Sequence, residues 1–213
     1  MRGTLDLSVY LVLDPGLCAA YGMADTTRAA VTAGVRTVQL RHKTASTAEM
    51  VAIGRQVQAV LAGTGSKLVV NDDVAAAIEL QADALHIGQG DMPPEQARHR
   101  IGPDMILGLS VENVANASAV DPAIVDYVGV GPVFATATKS DHATPLGFDG
   151  LARVVAECPV PAVAIGGLGA EHAGPVLAAG AEGLAVVSAI CGQPKPEAAS
   201  RKLIEAVQRE QQE

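Results

Sequence analysis

The sequence predicts an α/β fold, a (β/α)8 TIM barrel, and three observations lead there. Short apolar runs alternate with segments of helical periodicity along all 213 residues, the order expected of a parallel sheet covered by helices. The runs are apolar throughout instead of alternating with polar residues, as in strands buried on both faces. No Pro- or Ser-rich linker, low-complexity tract or block of charge interrupts the series, so residues 1–213 read as a single catalytic barrel domain. That length is below the ~250 residues typical of the fold but within its range, which requires short connections. An open doubly wound sheet is the alternative arrangement of the same units.

Taken in order, the expected strands are residues 9–13, 35–40, 67–71, 84–87, 105–109, 127–130, 162–165 and 184–187. The helices that follow them are expected at 25–33, 47–61, 73–81, 93–100, 111–119, 148–157, 170–179 and 196–208. Pro93 and Pro94 suit a first helical turn, where no backbone donor is needed and φ is already set. Gly34 and Gly180 suit helix ends.

Composition removes several function classes. Hydrophobic residues make up 49% of the chain and charged residues 18%, which is a buried scaffold and not a disordered chain. With no Trp, two Phe and three Tyr, the stacking platforms of single-stranded nucleic acid binding are missing. A formal charge of -8 attracts neither nucleic acid nor an anionic membrane, so an anionic ligand must be held by local groups. Three cysteines, Cys18, Cys158 and Cys191, show no metal or redox spacing and read as thiols of a reducing compartment. Neither a signal-peptide pattern nor a run of membrane-spanning length is visible, and a cytoplasmic location is expected. The Ala-rich outer helices are compatible with a monomer or a small homo-oligomer.

In such a barrel, chemistry belongs to the C-terminal strand ends. Gln39, Arg41, His42 and Lys43 follow the second run, Asn71 and Asp72 the third, and His86, Gln89 and Asp91 the fourth. Ser110 follows the fifth; the sixth opens a long loop carrying Thr136, Thr138, Lys139 and Ser140. Asp72 and Asp91 are hard oxygen donors suited to Mg²⁺ shared with waters and substrate phosphates. Arg41, Lys43 and Lys139 beside them suit a diphosphate better than a carboxylate. Helix capping by Asp72 ahead of Asp73, and by Asp91 ahead of Pro93, is the competing explanation for the two acids. The glycine turn at 165–169, with Val187 and Ser188 one unit later, forms a candidate phosphate cup, or else a plain strand-to-helix turn.

The five histidines have no zinc-like spacing, and His86 at the end of an apolar run reads as a core or supporting residue. Tyr127 and Phe148 read as packing residues. No Gly-x-Ser-x-Gly elbow or Cys and His pairing supports a protein nucleophile.

Seven segments in order, VQLRHK at 38–43, VNDDVAAA at 70–77, HIGQGDMP at 86–93, GLSVEN at 108–113, DYVGVGPVFATATK at 126–139, PAVAIGGL at 161–168 and GLAVVSAI at 183–190, resemble the thiamine-phosphate synthase family. The resemblance implies a Mg²⁺-dependent transferase that joins 4-amino-2-methyl-5-(diphosphomethyl)pyrimidine to a thiazole phosphate and releases pyrophosphate. Gln39, Leu40, Arg41, His42, Lys43, Asn71, Ser110 and Lys139 would hold the pyrimidine diphosphate, and Asp72 and Asp91 the metal. Thr136, Ala137, Thr138, Gly167, Val187 and Ser188 would hold the thiazole phosphate. Lys139, Ser110 and Arg41 would carry the chemistry, described for the family as dissociative.

Two positions depart from the family pattern. His42 stands where an acid is usual, and Ala137 stands where Pro is usual; both bear on substrate affinity. Residues 140–146 are expected to order when ligands bind. The related thiazole tautomerase, which uses a histidine in the sixth-strand loop where Pro132 stands here, is one alternative. A non-catalytic binder of thiamine phosphates is another.

Overall fold

A computed structural model describes residues 3–136 and 144–212. The strands are β1 (Val9–Leu13), β2 (Thr37–Leu40), β3 (Lys67–Asn71), β4 (Ala84–Ile87), β5 (Ile106–Val111), β6 (Tyr127–Val130), β7 (Ala162–Ile165) and β8 (Gly183–Val186). Each pairs in parallel with the next, and β8 returns to β1 with Tyr10 beside Ala185, so the sheet closes into a barrel. The helices are α1 (Met23–Ala33), α2 (Thr47–Leu61), α3 (Val74–Leu80), α4 (Pro94–Ile101), α5 (Val114–Ser118), α6 (Gly147–Ala156), α7 (Ala173–Ala178) and α8 (Pro196–Gln212). This is the TIM barrel anticipated above, not the open sheet.

The strand period of two sorts each apolar run into two cores. Leu11, Leu40, Leu68, Leu85, Leu107 and Leu184 face outward and pack under the helices. Tyr10, Val12, Val69, Ala84, Ile106, Tyr127, Val163 and Ala185 fill the barrel interior. At the N-terminal end, the Arg98 guanidinium donates to the carbonyls of Gly102, Met105 and Ile124 and to Asp126 Oδ2 at 2.7 Å, tying α4 to the entries of β5 and β6.

Several boundaries differ from expectation for identifiable reasons. β2 begins at Thr37 because Val35 N–H donates back to Ala30 O at 3.1 Å, closing α1 behind the left-handed Gly34 at φ 118°. β5 runs on to Val111 because Ser110 and Val111 pair with Gly129 and Val130. The next helix therefore starts late, at Val114, where Asn113 Oδ1 accepts from Asn116 N–H at 2.9 Å. β8 ends at Val186, since Val187 O accepts from Ile190 and Cys191 in a turn. The segment expected at 170–179 divides into a 3₁₀ turn, Ala170–His172, and α7. His172 Nδ1 accepts from Gly169 N–H at 2.9 Å, and Pro175 sits in the first turn of the new helix, where its missing donor costs nothing. All three cysteines are free thiols. Among the described residues no helix is long and apolar enough to cross a membrane.

Candidate active site

The C-terminal mouth brings together Gln39, Arg41, Lys43, Asn71, Asp72, Asp91, Ser110, Thr136, Gly167, Val187 and Ser188. They come from six different strand ends and the loop after β6, and only barrel closure makes them neighbours. Two anticipated side chains stand elsewhere. Leu40 is fully buried in the outer core, because its place in the β2 alternation turns it toward the helices. His42 is absent from the mouth lining, and its Nδ1 lies 3.5 Å from Thr44 Oγ1. Ala137, Thr138, Lys139 and Ser140 lie outside the described residues, as do positions 141–143 of the segment expected to order on binding.

The two acids are placed by backbone geometry. β3 ends on Asn71, and Asp72 directly after it has a left-handed φ of 62°, a conformation that side chains other than Asn and Asp rarely adopt. Asp73, not Asp72, caps α3, accepting from Ala76 N–H at 2.9 Å. Asp91 Oδ2 accepts from Gly88 N–H at 2.7 Å within the β4 loop. Neither acid therefore serves as a helix cap.

The Asp72 carboxyl is pushed up to about 7 by its burial and by the Asp91 carboxyl that hydrogen-bonds to it and repels it, while Lys43 and Asn71 pull the other way. Two acids crowded in this manner favour a shared cation. Among the described residues no group of three or more His, Cys, Asp or Glu side chains is placed to hold a metal ion, so a cation here would share the two carboxylates with waters and phosphate, a donor set that suits Mg²⁺. Arg41 Nη1 lies 4.0 Å from Oδ2 of Asp14, the residue that follows β1, so a carboxylate faces the guanidinium at the rim.

The glycine turn is built by exclusion. Gly166 and Gly167 have φ of 106° and 65°. A Cβ on Gly166 would sit 2.7 Å from Pro132 Cα, and one on Gly167 would sit 2.8 Å from Phe134 Cβ. Val133 N–H donates to Ile165 O at 2.9 Å and Phe134 N–H to Gly166 O at 3.0 Å, which clamps the turn against the start of the β6 loop. Phe134 in turn stacks edge-on against Phe148 with ring centroids 5.2 Å apart, and His172 lies against both rings. Phe148 is a packing residue, as the sequence predicts.

Beneath the mouth lies a polar feature that the apolar runs concealed. Gln39 Nε2 donates to Tyr10 Oη at 2.8 Å, Tyr10 Oη is 2.9 Å from Tyr127 Oη, and Tyr127 Oη is 3.0 Å from His86 Nδ1. His86 Nε2 lies 3.1 Å from Ser110 Oγ. Tyr127 packs in the core as expected, but it is also a hydrogen-bonding member of this row. Asp14 and Glu112 also line the mouth without having been singled out. The missed signal was polar residues at inward positions of otherwise apolar strands.

Fold and mouth define the class: a (β/α)8-barrel enzyme whose polar groups converge at the C-terminal rim. Residues 9–190 match the family model described as thiamine monophosphate synthase. The chain belongs to the thiamine monophosphate synthase family. A thiamine-phosphate synthase of Xanthobacter autotrophicus is 47% identical over 207 residues, covering 97% of this chain and 98% of the relative. The corresponding protein of Solidesulfovibrio magneticus is 48% identical over 203 residues, with 95% and 96% covered. Among solved structures, a thiamine phosphate pyrophosphorylase from Pyrococcus furiosus superposes with a TM-score of 0.86 at 32% identity, covering 96% of both chains. A 3-hexulose-6-phosphate synthase superposes with a TM-score of 0.67 at 16% identity, a likeness of fold alone.

Proposed function

We propose that this transferase joins 4-amino-2-methyl-5-(diphosphomethyl)pyrimidine to a thiazole phosphate by Mg²⁺-assisted, dissociative substitution, giving thiamine phosphate and pyrophosphate. The observation that carries the reading is the crowded Asp72 and Asp91 pair next to Arg41 and Lys43, on the same rim as the glycine turn. A tautomerase would leave Asn71, Asp72 and Asp91 without a role.

Asp72 and Asp91 would hold Mg²⁺, which when bound neutralises charge on the leaving diphosphate. Arg41, Lys43 and Lys139 add charge to the same oxygens, and Asn71 fixes their orientation. Gln39 and Ser110 orient the pyrimidine ring by hydrogen bonds, and nothing in the protein attacks it. Thr136, Thr138, Gly167, Val187 and Ser188 hold the thiazole phosphate so that the ring nitrogen faces the pyrimidine methylene as pyrophosphate departs. Incubating both substrates with the protein is expected to give thiamine phosphate with Mg²⁺ and none with chelator. Pyrophosphate release without coupled product would instead mark a hydrolase and refute the reading.

A stability prediction follows from the acid pair. Asp72 titrates near 7 when folded, against 3.8 for the ordinary carboxyl. The folded state thus prefers the protonated acid, and its stabilising contribution is full below about 4 and lost as pH rises through about 7. Asp72→Asn, which keeps the left-handed turn, should match the wild-type melting temperature at pH 4 and exceed it at pH 8 without metal. Mg²⁺ should close that gap by stabilising the wild type. Parallel melting curves across this range would contradict the assignment.

A further inference from the structure

The row of hydrogen bonds from Gln39 to Ser110 has a direction. We propose that Tyr10, Tyr127 and His86 act as positioning residues in a one-way relay that leaves Gln39 Oε1 to accept and the Ser110 hydroxyl to donate, and so selects a heteroaromatic edge with an amino group beside a ring nitrogen. The inference deepens the reading above, since the 4-aminopyrimidine has that edge.

Direction follows from counting hydrogens. The Gln39 amide nitrogen can only donate, so Tyr10 Oη accepts from it at 2.8 Å. Tyr10 is 1% exposed, and its own hydrogen reaches Tyr127 Oη at 2.9 Å. The Tyr127 hydrogen then goes to His86 Nδ1 at 3.0 Å, which requires that nitrogen to be bare. The imidazole proton sits on Nε2 and donates to Ser110 Oγ at 3.1 Å, freeing the serine hydrogen for a ligand. With Gln39 Nε2 facing Tyr10 Oη, reversing the Tyr10 and Tyr127 link would leave the Tyr10 hydrogen buried with no acceptor in the row, a costly state. Burial also pushes both phenols well above their ordinary range, keeping them as donors.

The strands make room for this row. A Cβ on Gly108 of β5 would lie 2.2 Å from Tyr127 Cζ, and one on Gly129 of β6 would lie 3.2 Å from His86 Cε1. Glycine inside a strand weakens it, and here each one makes space for a neighbouring ring of the relay. Five side chains from β1, β2, β4, β5 and β6 are thereby locked in register, so the two ends facing the mouth respond as one unit.

Nitrogen-15 NMR of histidine-labelled, ligand-free protein tests the direction, with the His86 signals assigned by their loss in His86→Gln. The Nε2–H tautomer is expected; an Nδ1–H or doubly protonated ring overturns the relay, and this readout needs no catalytic activity. In steady-state assays, Tyr127→Phe should lower kcat/KM for the pyrimidine diphosphate roughly tenfold, the value of one buried hydrogen bond, and leave the KM for thiazole phosphate unchanged. A substrate analogue lacking the amino group should lose less in Tyr127→Phe than in wild type. His86→Gln, which keeps a donor toward Ser110, should retain activity that His86→Leu loses. Equal losses in the two His86 variants, or an unchanged analogue penalty, would reduce the row to core packing. If the wild type couples no substrates, the proposed reaction fails while the tautomer still decides the relay.

Discussion

Asp91→Asn is expected to lower kcat/KM for the pyrimidine diphosphate on the order of 10³-fold, the scale of losing electrostatic stabilisation of a leaving group. The side chain is exposed at the rim, and its Oδ2 is held by Gly88 N–H at 2.7 Å, a bond that the amide oxygen of Asn can replace. The fold should therefore survive. Removing the charge that crowds Asp72 also removes a reason for its raised pKa, so the metal-free variant should melt no lower than wild type at pH 8. Loss of turnover with retained stability is the result expected of a metal ligand. Near-normal turnover at saturating Mg²⁺ would remove Asp91 from that role.

Gly167→Ala should act on the other half of the mouth. At φ 65° an alanine costs about 1–2 kcal/mol of backbone strain. Its Cβ would also meet Phe134 Cβ at 2.8 Å and Ala135 O at 3.0 Å, so the turn must move away from the β6 loop. The expected result is a KM for thiazole phosphate raised by ~10–100-fold, as for other small misplacements of a positioned group. The melting temperature should fall modestly, and the KM for the pyrimidine diphosphate should hold. If both KM values rise together, the two halves of the mouth are not separate sub-sites.

Much of this architecture can be read before any coordinates. Strands buried on both faces leave unbroken apolar runs, and β1, β3, β4, β6 and β7 fall where those runs lie. Their polar successors, from Arg41 to Ser188, are legible as residues of one mouth because a barrel places all strand ends on one rim. The family resemblance adds ligand roles that residue chemistry alone leaves open.

Other features depend on partners distant in the chain. The extension of β5 through Val111 depends on pairing with β6, and the late start of α5 follows from it. The same unbroken runs that reveal the strands hide which residues point inward, and so they hide that Leu40 faces the helices and Gln39 the mouth. The chain by itself determined the eight-fold βα order and the two acids, cations and glycines at the strand ends. Only the tertiary structure decided that Asp73 takes the capping role and leaves Asp72 against Asp91. It alone joined Tyr10 to Tyr127, 117 residues apart, because closing the barrel makes neighbours of groups that sequence distance keeps separate.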